Sequence, residues 1–295
     1  MWFRKRSPDD EAFLQQAQAR SASFERALLS NTLPDVVENR LAKQAKGELP
    51  WTSGLSTSAF CLVRSYGLKP IGLVTGNCVY KASTMQNPSW TNMSYHVTYM
   101  EDALIDAMRI ARCRLEDEAI TLKAHAVVDV TIRIEWLGEP GHFAITLFGT
   151  AVTYGTESPP SRPLLCTVPA DDLFKLWSDG VTPVGLVFGV GVYYQYSTRA
   201  DRWSAGSFYN QEMTAYSQAV YHVRHRATSN LMQDARTYIA HGVLSQETSF
   251  NVQEVEVERG QGDERIDHIL QFTILGTAVA GAVAKASTIR AGLLL

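Results

Sequence analysis

The sequence predicts an α+β protein built from two tandem β-β-α-β-β domains, each with a short leading helix, behind an N-terminal helical arm. Three observations predict it. The run 55–80, LSTSAFCLVRSYGLKPIGLVTGNCVY, realigns without a gap on 168–193, VPADDLFKLWSDGVTPVGLVFGVGVY. Identities fall at Ser65/Ser178, Gly67/Gly180, Pro70/Pro183, Gly72/Gly185, Leu73/Leu186, Val74/Val187, Gly76/Gly189, Val79/Val192 and Tyr80/Tyr193. Downstream, AHAVV at 124–128 matches AHGVL at 240–244, and GTAV at 149–152 matches GTAV at 276–279. Three blocks in one order describe a duplicated unit, far longer than the roughly 20–50 residues of a solenoid repeat. A chain of 295 residues has room for about two domains. The expected division is an arm at 1–50, a first repeat at 51–155, a linker at 156–167, a second repeat at 168–281 and a tail at 282–295.

The arm comes first. Ser7 can cap a helix, Pro8 suits its first position, and Asp9 and Asp10 meet the positive end of the helix dipole. Helix is expected to about Leu29, and a second helix over 34–46. Neither has a counterpart before the second repeat. The pair either packs on the first repeat or serves as an oligomerisation or docking arm.

Each repeat opens with a short helix, 56–66 and 170–179. Gly67 and Gly180 follow where a left-handed C-cap residue belongs, and proline then stops the helix. The next runs, PIGLVTGNCVY and PVGLVFGVGVYY, read as strands. Glycine inside a strand marks a bulge or a close backbone approach. Gly72/Gly185 and Gly76/Gly189 recur, so each strand is kinked. The Gly189-Val190-Gly191 run lacks the rest of a dinucleotide fingerprint.

A loop and second strand are expected within 83–99 and 197–214, both rich in aromatics. A long helix follows, over 100–123 and again over 215–239. In the first, Ala103, Leu104, Ala107, Met108, Ala111, Leu115 and Ala119 form one stripe at helical spacing. Small alanines let such a helix sit close on a sheet. In 127–136, Val128, Val130, Ile132 and Ile134 alternate with other residues, the signature of a strand buried on one side. A Gly-Glu-Pro-Gly turn leads to the closing strand, 143–154. The second repeat keeps this order with a longer strand pair.

The run P-[IV]-G-L-V-x-G-x-x-V-Y, the alanine-striped helix, A-H-[AG]-V-[VL] and the closing G-T-A-V together resemble the YbjQ-like family, also labelled a heavy-metal-binding domain. The resemblance covers most of 55–154 and 168–280. It implies an α+β domain that assembles into a closed ring, typically of five, and it implies no established enzymatic activity. The chain departs from the family in two ways: both copies carry Ala-His after the helix, and the domain is doubled behind an added arm.

Composition bounds the chemistry. A net charge of −3 with no basic stripe argues against nucleic acid. Four scattered cysteines without a CxxC, no secretory-type leader and no window of about 20 apolar residues suggest a cytoplasmic protein without a membrane span. Of seven histidines, only His222 and His225 are closely spaced, and their counterparts are Asp106 and Arg109. His125 and His241 recur. They read either as imidazoles satisfying a helix-end carbonyl or as a ring of metal or pH-sensing ligands about a symmetric pore. They are the candidate ligands for a possible divalent metal. No cysteine occurs in both copies, so a site shared by both cannot use thiolate. No G-x-S-x-G elbow exists, and acidic clusters such as 116–118 read as solvated faces. Trp90, Tyr95, Trp203 and Phe208 are the candidates for subunit contact, since aromatics are enriched at interface cores.

The expected function is non-enzymatic: an assembly protein whose tandem domains form a ring, pentameric or pseudo-decameric, or a larger shell. The expected partner is the chain itself, with a further docking partner possible through the arm. Metal handling is the alternative.

Overall fold

The structure, a computed structural model, describes residues 8–30, 32–82, 93–138, 141–155, 158–198, 201, 209–258 and 264–281. The arm is two helices, α1 (Pro8–Ser30) and α2 (Asp35–Ala45). Pro34 ends the extended entry to α2 and seeds its first turn. The first repeat contains α3 (Thr57–Ser65), β1 (Leu68–Lys81), β2 (Tyr95–His96), α4 (Thr98–Thr121), β3 (Ala126–Trp136) and β4 (His142–Tyr154). A two-residue strand, β5 (Leu164–Leu165), lies in the linker. The second repeat contains α5 (Ala170–Ser178), β6 (Val181–Gln195), α6 (Thr214–Arg236), β7 (Gly242–Glu258) and β8 (Glu264–Gly281).

Each repeat is a sheet with its long helix on one face. The first sheet runs β1-β4-β3-β5 and the second β2-β6-β8-β7. The glycines explain how the helices sit. A Cβ on Gly76 would lie 1.9 Å from the Ala111 carbonyl oxygen, and one on Gly189 would lie 2.1 Å from that of Ala227. Ala111 and Ala227 hold matched places on the stripes, so strand and helix backbones touch at the same point in both repeats. The expected kinks are register shifts between Pro70 and Gly72 and between Pro183 and Gly185. Gly67 and Gly180 adopt positive φ, as a C-cap requires.

The second strand departs from expectation. In the first repeat, β2 pairs with β6 of the other repeat, Tyr95 opposite Tyr194 and His96 opposite Tyr193. In the second repeat, the matched residues 211–213 form no strand. A two-residue segment exists as a strand only where a sheet edge receives it, and among the described residues β6 is the edge that receives one from this position of a repeat. β5 works the other way. It leads into the second repeat but pairs, in parallel, with β3 of the first.

The main core therefore crosses the repeats. Leu104, Met108 and Phe143 share one cluster with Leu186, Phe188, Val192 and Tyr194. β1 alternates buried and accessible residues, whereas β6 is buried on both faces from Gly185 to Val192. A second cluster joins Val63, Val128 and Val152 to Cys166, Leu173 and Phe174, with Tyr66 stacked on Phe174 at 4.0 Å.

Candidate functional site

The densest polar chemistry lies where the first repeat meets the outer edge of β6. Val97 N–H donates to the Val192 carbonyl (2.9 Å), extending the β2 ladder by one bond. Glu101, one turn into α4 and 1% exposed, then turns one oxygen to the Val192 N–H (3.0 Å) and the other to Arg226 of α6 (2.9 Å). Arg112, further along α4, donates to the Leu186 carbonyl (3.2 Å) and Tyr238 hydroxyl (3.3 Å) and stands 3.7 Å from Asp234. A buried carboxylate between a backbone donor and a guanidinium is a specific, directional clamp.

His96 lies in the same junction. Its ring meets Tyr193 edge-on, Tyr193 stacks on His222 at 5.3 Å, and Nδ1 is 3.7 Å from Glu101. Burial pushes the His96 imidazole below its ordinary value of 6.5, against the pull of Glu101. Behind β6, Asp267 is fully buried and accepts from the Tyr194 hydroxyl and the Ser197 N–H. On the far side, Thr167 N–H donates to Thr277 Oγ1 (2.8 Å) and Ile132 N–H donates to Glu247 (3.2 Å). The Glu247 carboxyl is raised by that burial.

The first repeat shows the same fittings without a second repeat on them. Glu118 accepts from Thr75 N–H (2.9 Å), as Asp234 accepts from Phe188 N–H (3.1 Å). Arg114 donates to the Asn77 carbonyl, as Asn230 donates to that of Val190, both at 2.6 Å. Gly54 N–H donates to Thr150 Oγ1 (3.0 Å), matching Thr167 on Thr277. Each long helix thus satisfies part of its own strand's outer edge, and on β6 the first repeat supplies further partners.

Among the residues singled out from sequence, Tyr95 sits in β2 with its ring 5.6 Å from that of Tyr194, a contact between repeats of one chain. Trp90, Trp203 and Phe208 lie outside the described residues. His125 and His241 do not meet a helix-end carbonyl. Nδ1 of His125 accepts from the Tyr154 N–H at 3.3 Å, at the end of β4. Nδ1 of His241 lies 3.2 Å from the carbonyl oxygen and 3.3 Å from the nitrogen of Gly281, at the end of β8. His222 packs on Tyr193. Sequence reasoning missed Glu101, Arg112 and Asp267. Each is one charged residue in an apolar or mixed run. A single sequence gives no sign that the partners of Glu101 and Arg112 lie in the other repeat, or that Asp267 meets Tyr194 and Ser197.

Residues 66–155 match a family model described as putative heavy-metal-binding, the YbjQ-like family. That segment is a YbjQ-like domain. No curated protein and no solved structure matches the chain significantly. The residues present do not fit the metal that the family description implies. Among the described residues, no three of His, Cys, Asp and Glu converge to hold an ion. The Cys166 thiol is pushed up to about 12 by complete burial, and Cys78 is raised for the same reason, so neither favours the thiolate a soft metal needs. No helix among the described residues is long and apolar enough to cross a membrane.

Proposed function

We propose that the chain is a non-enzymatic assembly protein, with two YbjQ-like domains, that stacks copies head to tail into a closed ring, five-fold in its simplest form, or a larger shell. One observation carries the reading. The two repeats contact each other through different surfaces: β2 and α4 of the first cover β6 of the second, and β5 extends β3. A heterologous contact of this kind leaves one unmatched face at each end. β1 keeps its outer edge at one end, and β7 keeps its outer edge at the other. Such contacts close into rings when the rotation per step allows, and otherwise run on as filaments. The ring closure and the number five rest on the family resemblance.

The exposure of matched residues supports the reading. Val192 is 1% exposed, and its counterpart Val79 is 70% exposed. The metal-handling alternative would require His125 to give up its strand-end N–H, and among the described residues no convergence of ligands favours it.

Native mass in a volatile buffer tests the proposal. A mass of five chains or a multiple of five is expected. A single chain at every concentration overturns the reading, and a stoichiometric excess mass matching a metal ion would favour the alternative.

A further inference from the structure

α2 sits on the first repeat as α4 sits on the second. Arg40 of α2 reaches Glu118 at 3.2 Å, and Arg112 of α4 stands 3.7 Å from Asp234. Glu118 and Asp234 are matched acids, each already bonded to a matched strand N–H. Gln44 of α2 donates to the Ile71 carbonyl (3.0 Å) on β1, and Arg112 donates to the Leu186 carbonyl (3.2 Å) on β6. The fittings are alike, a guanidinium on the helix acid and a donor on an edge carbonyl, with the two carbonyls two residues apart in the repeat alignment. α2 shares no recognisable sequence with α4. The face is therefore shaped for a helix lying along it, whichever segment supplies one.

The arm fills only part of that face. Its closest contacts are near Ile71 and Thr75. Between the arm and β1, a groove of about 680 Å3 runs past Phe24, Leu33, Val37, Val79, Tyr80 and Ile110. On the second repeat, the matching place is taken by β2, Val97 and the first turns of α4. Leu73, Thr75 and Asn77 turn their backbone polar groups toward Thr52, Glu118 and Arg114, away from β4. Val79 is next in that series.

We infer that α2 is an internal stand-in for α6 of a second copy, and that the second copy docks on β1 only when α2 leaves. In the docked state Met213, the counterpart of Val97, bonds Val79 as Val97 bonds Val192, and α6 then runs along β1 toward Ile71. That path passes through the volume α2 occupies, so the two occupants exclude each other. The occupant is a second copy because the chain already contains the backbone part of this contact once, Val97 on Val192 between its own repeats. α6 carries Ser217 and Thr228 where α4 has Glu101 and Arg112, so its side-chain contacts differ. The inference rests on the self-assembly reading above and adds the surface and its gate.

The test uses the full chain in two forms. Arg40→Glu places a carboxylate against Glu118 and repels α2, and Arg40→Ala is the milder control. Native mass is recorded against concentration for each. Separately, Val79→Cys and Met213→Cys are combined and oxidised, with the single variants accounting for the exposed Cys61 and Cys113. Arg40→Glu is expected to lower the assembly concentration at least tenfold and to raise the yield of the inter-chain Val79–Met213 crosslink. Assembly unchanged by Arg40→Glu, or a crosslink that ignores it, overturns the gate while the assembly reading stands. If neither form assembles and no crosslink appears, both readings fall.

Discussion

Glu118 shows how one carboxylate ties the arm to the first domain. Burial raises its pKa above the ordinary 4.5, while the Thr75 N–H and the Arg40 guanidinium hold it down. A raised carboxyl binds its proton more tightly folded than unfolded. Its contribution to stability therefore grows as pH falls from the raised value toward 4.5 and is level below that. Glu118→Gln keeps an acceptor for Thr75 and removes the charge. It should flatten the stability curve in that window relative to wild type, measured as urea midpoints between about pH 4 and pH 8. Parallel curves would show that the buried carboxyl is not the titrating group. Glu101 makes a contrasting case. Glu101→Ala leaves the Val192 N–H buried without its acceptor and Arg226 without its partner, and should cost about 1–3 kcal/mol. The loss should be seen mainly as weaker contact between the repeats, which limited proteolysis in the linker would report.

At the scale of elements, the decisive fit is helix on strand at Gly76 and Gly189. A methyl at Gly76 would also fall 2.6 Å from the Leu115 nitrogen, against backbone that cannot rotate away. Gly76→Ala and Gly189→Ala should each cost about 3 kcal/mol or more by thermal or urea unfolding. Gly138→Ala, in a turn with open space around it, should stay within about 0.5 kcal/mol. These elements were legible from sequence, because recurring glycines opposite a stripe of alanines leave one arrangement of helix on strand. β2 was legible only as a loose expectation. Two residues carry no period, and their partner β6 lies about 100 residues away. α2 was legible as a helix, but its seat was not, since Arg40 and Gln44 look like any solvated helix face until Glu118 and Ile71 are placed beside them. The histidine pair misled for a related reason. Recurrence singled out His125 and His241 for either a helix-end carbonyl or a metal, yet the sequence did not show that a strand end would hold them.

For the whole molecule, matched positions in the two domains form an internal control on what a neighbour does. Val128 of β3 is fully buried, because α5 and the residues leading into the second domain lie over it. Its counterpart Leu244 of β7 is 39% exposed. Trp177 of α5, Leu62 of α3 and Trp51 stand partly in solvent. If copies stack as the domains do, α3 of the next copy covers Leu244 as α5 covers Val128, and Trp51–Thr52 approaches β7 as β5 approaches β3. The two sites should then answer one substitution differently. Val128→Lys buries an unpaired ammonium and should prevent folding at any concentration. Leu244→Lys leaves its charge in water in a single chain, so the monomer should unfold within about 0.5 kcal/mol of wild type. In the stack that charge is trapped under α3, so the oligomer should be lost. Unfolding at low protein concentration and native mass at high concentration, recorded on both variants, separate the two effects. A Leu244→Lys chain that still assembles would mean that β7 is a true outer surface and that copies meet elsewhere.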